Sequence, residues 1–109
     1  MTVQDLNTII EAIGLPCAYY QFSDDTAQAP PFICWFFTDS DDFYADDVNF
    51  TRIRPLRIEL YTDFKDFDLE NTVEAALTAA GLSYARDEGA IDTERMYMVA
   101  YSADVLLTN

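Results

Sequence analysis

Residues 54–84, RPLRIELYTDFKDFDLENTVEAALTAAGLSY, decide the fold. In Leu56-Arg57-Ile58-Glu59-Leu60-Tyr61 the apolar Leu56, Ile58 and Leu60 alternate with Arg57 and Glu59. That period of two belongs to a strand with one buried face. Asp68 is placed to accept from the first free backbone N–H groups of a helix. Leu69, Val73, Ala76, Leu77 and Ala80 then fall on one helical face, and Gly81 can adopt the left-handed conformation that ends it. Residues 82–87 open a further strand, with Gly89 read as a turn. The unit is β–α–β, and the rest of the chain covers and extends it.

Upstream, Thr2 serves as an N-cap with Asp5 three residues on, an approximate capping box. Val3, Leu6, Ile9, Ile10 and Ile13 line one face of a helix over residues 3–13, which Gly14 and Pro16 stop. Residues 17–22 (CAYYQF) form a strand candidate. Residues 23–31, with two prolines, form a loop too long for a tight hairpin. Residues 32–38 (FICWFFT) are nearly all apolar, as in a strand covered on both faces at a sheet centre or a subunit contact. Residues 39–51 (DSDDFYADDVNFT) read as a long acidic loop with a short strand around 43–45. Residues 94–107 give the longest strand, with Tyr97, Val99, Tyr101, Ala103 and Val105 on one face. The expected order is α-β-β-(β)-β-α-β-β. This is an α+β fold in which two helices pack on a mainly antiparallel sheet of four to five strands, one domain over residues 1–109.

Composition limits the function. Six basic against 20 acidic residues give a net charge of −14, while half the residues are hydrophobic and 15% aromatic. The aromatic content rules out a disordered acidic tail. The charge argues against phosphate binding, which needs clustered Lys and Arg; only Arg52, Arg54 and Arg57 lie close together. No run reaches the length of a membrane span, and no export signal is recognisable. Cys17 and Cys34 are therefore expected to be buried thiols of a cytoplasmic protein.

No catalytic pattern emerges. Histidine is absent, neither cysteine lies in a CxxC pair, and Gly14, Gly81 and Gly89 cannot build a phosphate-binding loop. The acidic groups are Asp24/Asp25, Asp39/Asp41/Asp42, Asp46/Asp47 and Asp63/Asp66/Asp68. Read as a calcium loop, Asp39-Ser40-Asp41 starts correctly. It then fails, with Phe43 at a ligand position, Tyr44 in place of glycine and Phe50 in place of the terminal glutamate. Solvated loop acids are the plain reading, with a weak cation site or a carboxylate pair for acid–base catalysis as the alternatives. No cofactor and no metal are expected.

The succession DDFYADDVNFTRIRPLRIELYTDFKDFDLENTVEAALTAAGLSY, followed by ERMYMVAYSADVLL, resembles a family of small minor tail proteins of long-tailed bacteriophages and prophages. The parts that carry the resemblance are Tyr44-Ala45-Asp46-Asp47, residues 57–66, the helix end Ala80-Gly81-Leu82, and residues 96–106. The element order is also similar to tail-terminator (tail-completion) proteins. That resemblance implies a non-enzymatic protein forming a hexameric ring that caps the tail tube, contacts tail-tube and head-completion proteins, and binds neither specific nucleic acid nor membrane. It implies the host cytoplasm during assembly, then the virion tail or neck. On this reading an acidic bore would repel passing DNA. Subunit contacts are assigned to Trp35, Phe37, Phe43, Tyr44, Phe50, Arg52 and Arg54, each of which could equally pack within its own domain. Two alternatives stand beside it: an acidic DNA-mimic inhibitor of a nucleic-acid-binding protein, and an adaptor on the head–tail connector.

Overall fold

In the computed structural model, residues 1–23, 27–38, 51–91 and 95–108 are described, without the side chains of Thr51 and Arg52. Helix α1 (Val3–Glu11) leads into β1 (Cys17–Tyr19), β2 (Phe32–Phe37) and β3 (Thr51–Thr62); α2 (Phe67–Ala79) precedes β4 (Tyr84–Ile91) and β5 (Met96–Thr108). The five strands form one sheet in the order β1-β2-β3-β5-β4. Its pairings are antiparallel except for β1 with β2, which run parallel. Since β3 and β4 both oppose β5, they run the same way. The β3–α2–β4 unit is thus a split β–α–β motif with β5 inserted between its strands.

Both helices cover one face of the sheet. Leu6 and Ile10 of α1 and Val73 and Leu77 of α2 are buried with Ile33, Trp35, Leu56, Ile58, Leu60, Val99, Tyr101, Val105 and Leu107 in a single cluster. The registers Ile33↔Leu60↔Val99 and Trp35↔Ile58↔Tyr101 show how alternate residues of three strands meet in that layer. The alternation read in residues 56–60 and 97–105 is therefore the alternation of this face.

The β3–β5 ladder is the longest in the sheet. Twelve residue pairs run from Thr51↔Thr108 to Thr62↔Tyr97. At the Thr108 end the chain closes on itself: the Thr108 amide donates to the Met1 carbonyl at 2.8 Å.

Helix starts are set by side-chain caps. The Thr2 hydroxyl accepts from the Asp5 amide (3.1 Å) while the Asp5 carboxylate accepts from the Thr2 amide (2.9 Å), completing the capping box. These bonds, with the Thr2 amide first, hold the Asp5 carboxyl below its ordinary value. Helix α2 begins two residues before the sequence reading. Its N-cap is Asp66, whose carboxylate accepts from the Leu69 amide at 3.0 Å, and Asp68 lies in the first turn. The buried face of α2 is also rotated: Glu70, Val73 and Leu77 are buried, whereas Leu69, Ala76 and Ala80 are only half-buried.

Other boundaries move too. Helix α1 ends at Glu11, and β1 at Tyr19. Strand β4 starts at Tyr84 and runs through Gly89, which pairs with Met98 and is no turn. The expected short strand at 43–45 lies outside the described residues, as do Asp24, Asp25, the 39–50 acids and the calcium-like motif within them. Among the described residues, helices cover residues 32–38 on one side only.

Candidate interaction surface

The parallel β1–β2 pairing shapes the second face of the sheet. Parallel neighbours need a long crossover, and here residues 20–31 join the two strands, with no helix among the described residues of that stretch. Tyr20 turns the chain off the edge with φ 73°, in the left-handed region that costs a bulky residue energy. Its amide still donates to the Trp35 carbonyl at 2.8 Å. Beyond it, the chain comes to lie against the uncovered face. The Tyr20 ring sits 5.2 Å from Phe36, Phe22 meets Phe32 edge-on at 5.5 Å, and Phe32 stacks on Tyr61 at 4.9 Å.

These contacts leave a groove of ≈ 580 Å³. Cys34 of β2 and Glu59 of β3 lie on its floor, flanked by Phe22, Phe32 and Tyr61 as one wall and by Tyr20 and Phe36 as the other; Gln21, Ile91 and Met96 also line it. Cys34 and Glu59 are register partners, between the rows Phe32↔Tyr61 and Phe36↔Arg57. The Glu59 carboxylate accepts from Arg57 Nε (2.7 Å) and from the Tyr61 hydroxyl (2.8 Å). Burial, and then the bond to Glu59, push the Tyr61 hydroxyl well above its ordinary value. Burial likewise raises the Cys34 thiol. Cys17 and Cys34 are both free, as half-buried and buried thiols. They sit on opposite faces, because Cys17 pairs with Ile33 and Cys34 with Ala18.

A second polar cluster ties α2 to β4 and β5 on the helix side. Glu70 is 3% exposed and accepts from Lys65 Nζ at 2.6 Å and from Arg86. Lys65 also donates to Glu88. Glu74 accepts from the Tyr101 hydroxyl at 2.8 Å and the Tyr84 hydroxyl at 3.3 Å. Desolvation alone would lower the Lys65 ammonium, but its bonds to Glu70 and Glu88 outweigh it and raise the group. The bond from Lys65 holds the Glu88 carboxyl below its ordinary value. Burial, then the bond to Glu74, push Tyr101 up strongly. Every polar member has a partner of opposite or complementary character, which is the condition for burying charge.

The residues assigned to contacts from sequence are dispersed. Trp35 is buried in the chain's own core, with Tyr19 edge-on at 4.9 Å and Phe37 at 6.2 Å. Phe37 is half-buried, and the Arg54 guanidinium lies 4.4 Å over its ring. The structure thus brings Trp35, Phe37 and Arg54 together beside the exposed Tyr19. Arg52 pairs through its backbone with Leu107. Phe43, Tyr44 and Phe50 lie outside the described residues. Sequence reading missed both the groove and the Glu70 cluster. It also missed an apolar tip where Phe64, Phe67 and Tyr97 are 59%, 65% and 41% exposed. Asp66, grouped with the loop acids, is a helix cap.

The architecture is a two-layer α+β protein with a helix-clad face and a grooved open face. No protein-family model matches the chain, and no curated protein matches its sequence. Among solved structures, a chain in the virion of a native gene transfer agent (GTA) particle shares the fold. Its TM-score is 0.60 at 13% identity, over 98% of this chain and 89% of that one.

Proposed function

We propose that this chain is a non-enzymatic structural protein of a phage-like virion, acting as a single tail-terminator-like domain that closes into a ring, caps the tail tube and joins it to the head. The observation that carries the reading is the fold shared with a virion chain across nearly the whole length of both. The sequence resemblance to minor tail proteins points the same way. Tail-tube and head-completion proteins are the partners of this reading, first in the host cytoplasm and then in the particle. Subunit contacts fall to Phe37 and Arg54 with the exposed Tyr19, supported from beneath by Trp35, and to Phe43, Tyr44, Phe50 and Arg52. The DNA-mimic alternative needs outward rows of free carboxylates. It is less well supported, because Glu59, Glu70, Glu74 and Glu88 are engaged by basic side chains or tyrosine hydroxyls. An adaptor on the head–tail connector differs only in partner.

Light scattering after size exclusion, over a range of protein and salt concentrations, together with capture by purified tail tubes, tests the proposal. A closed ring in solution or on the tube, weakened by Phe37→Ala or Arg54→Ala, is the expected result. A chain that stays monomeric in both settings and ignores the tube overturns it.

A further inference from the structure

The groove on the open face combines two features: aromatic walls and a carboxylate on its floor. One wall is the Phe22–Phe32–Tyr61 stack, the other the Tyr20–Phe36 pair. Glu59 lies in the row between them, with its side chain 14% exposed. A carboxylate offers about four acceptor positions. Arg57 takes one on Oε2 and Tyr61 one on Oε1, so each oxygen keeps capacity for a further donor. Ring faces attract a cation, and they do so more strongly where water is displaced. A strained Tyr20 holds one ring in place, so the cost of its backbone serves the shape of the cavity. The neighbouring Cys34 stays a neutral thiol, because burial raises it.

We infer that this groove is a docking site for an arginine or lysine side chain presented by a partner polypeptide, clasped between the aromatic walls with Glu59 as its counter-ion. The size fits, since ≈ 580 Å³ lies within the range of small-ligand sites. Charge complementarity names the kind of partner: the chain carries −14, and a basic segment is steered to it. Three of this chain's own six basic residues, Arg57, Lys65 and Arg86, are already held by carboxylates, so a basic segment of a different polypeptide is the better source of the anchor. Within the virion reading the anchor belongs to a neighbouring structural protein, but the site itself does not depend on that reading.

The test is a titration of the isotopically labelled chain with n-butylguanidinium chloride, followed by amide chemical shifts, with 1-butanol as the uncharged control. The expected result is saturable binding in the millimolar range, with shifts confined to residues 20–22, 32–36 and 59–61 and absent with 1-butanol. Glu59→Gln should weaken binding about tenfold or more. Arg57→Ala should tighten it, because it frees the carboxylate from its internal competitor. If Glu59→Gln fails to fold, the exposed wall variant Tyr20→Ala replaces it and should also weaken binding. Shifts scattered over the acidic surface, equal effects of 1-butanol, or affinity indifferent to these substitutions would each overturn the inference. A ring that forms without binding the probe rejects the docking site alone; a monomer that binds it rejects the ring alone.

Discussion

Glu70 shares a helix face with Val73 and Leu77, at a position where the 3–4 spacing of the buried stripe leaves no room for an unpaired charge. Lys65 and Arg86 compensate it from two directions, and both are themselves 25–36% exposed. Solvent therefore screens the partners, and the net value of the contact is well below that of a fully buried triad. Glu70→Ala should cost about 1.5–3 kcal/mol in urea unfolding, the range for a hydrogen bond to a charged group. Glu70→Gln, which keeps an acceptor for Arg86, should cost less. Tyr61 and Tyr101 give a pH dependence at the alkaline end. Both hydroxyls are pushed up by burial and by a neighbouring glutamate, from an ordinary value of 10.0. The unfolded chain then loses these protons before the folded one does. Their contribution to stability is complete below pH 10 and is lost as pH rises toward the folded values. In an ultraviolet titration Tyr61 and Tyr101 should ionise only with unfolding, and Tyr101→Phe should reduce the late-ionising amplitude. None of this was visible along the chain. Glu70 looks like a solvent-facing acid beside Leu69, and its partner Arg86 lies 16 positions away.

Elements were far more legible than their edges. The alternation through Leu56, Ile58 and Leu60 and the 3–4 spacing of Val73 and Leu77 each report one buried face, and both faces meet in one core. The start of α2 was misread because 66-Asp-Phe-Asp-68 offers two capping side chains two residues apart, and spacing alone cannot rank them. The structure ranks them, since only Asp66 bonds the Leu69 amide. Asp66→Ala should therefore cost about 1 kcal/mol, whereas Asp68→Ala should stay within about 0.5 kcal/mol. Equal losses in thermal or urea unfolding would place the cap wrongly. Gly89 misled for a related reason. A glycine that follows a charged run such as Arg86-Asp87-Glu88 reads as a turn, yet here it pairs in mid-strand with Met98 and meets nothing within 4 Å of where a Cβ would stand. The parallel sense of β1 could not be read at all, because no local pattern distinguishes a parallel edge strand from an antiparallel one. With it went the groove, whose lining includes Tyr20, Gln21 and Phe22 from just beyond β1.

At the scale of the whole molecule, charge and apolar surface oppose each other. A net −14 resists self-association, and salt shortens the range of that repulsion to about 8 Å at physiological ionic strength. Apolar contacts gain nothing from dilution of salt, so the proposed ring should become more stable as sodium chloride is raised. Sedimentation velocity at low and high salt reads this directly. A ring that dissociates on adding salt would instead be held by ion pairs, with Arg54 the first to replace. The exposed tip of Phe64, Phe67 and Tyr97 lies at one end of the β3–β5 ladder, and Ile53 and Leu106, register partners with 60% and 55% exposure, lie near the other. Two unlike apolar ends on one protomer suit head-to-tail contact, the geometry from which closed rings are built.

The bond between the Thr108 amide and the Met1 carbonyl places residues 1 and 108 side by side at one corner. A short peptide joining these two positions would bridge a gap the fold has already closed, so residues 1–108 joined there and reopened at a different surface turn should keep the fold. A fluorescent or affinity label fused near residue 1 and one fused near residue 108 would then occupy nearly the same point in space. In any symmetric assembly both would emerge on the same side, so a pair of fusions could tell an observer which way the particle faces but never measure how wide it is.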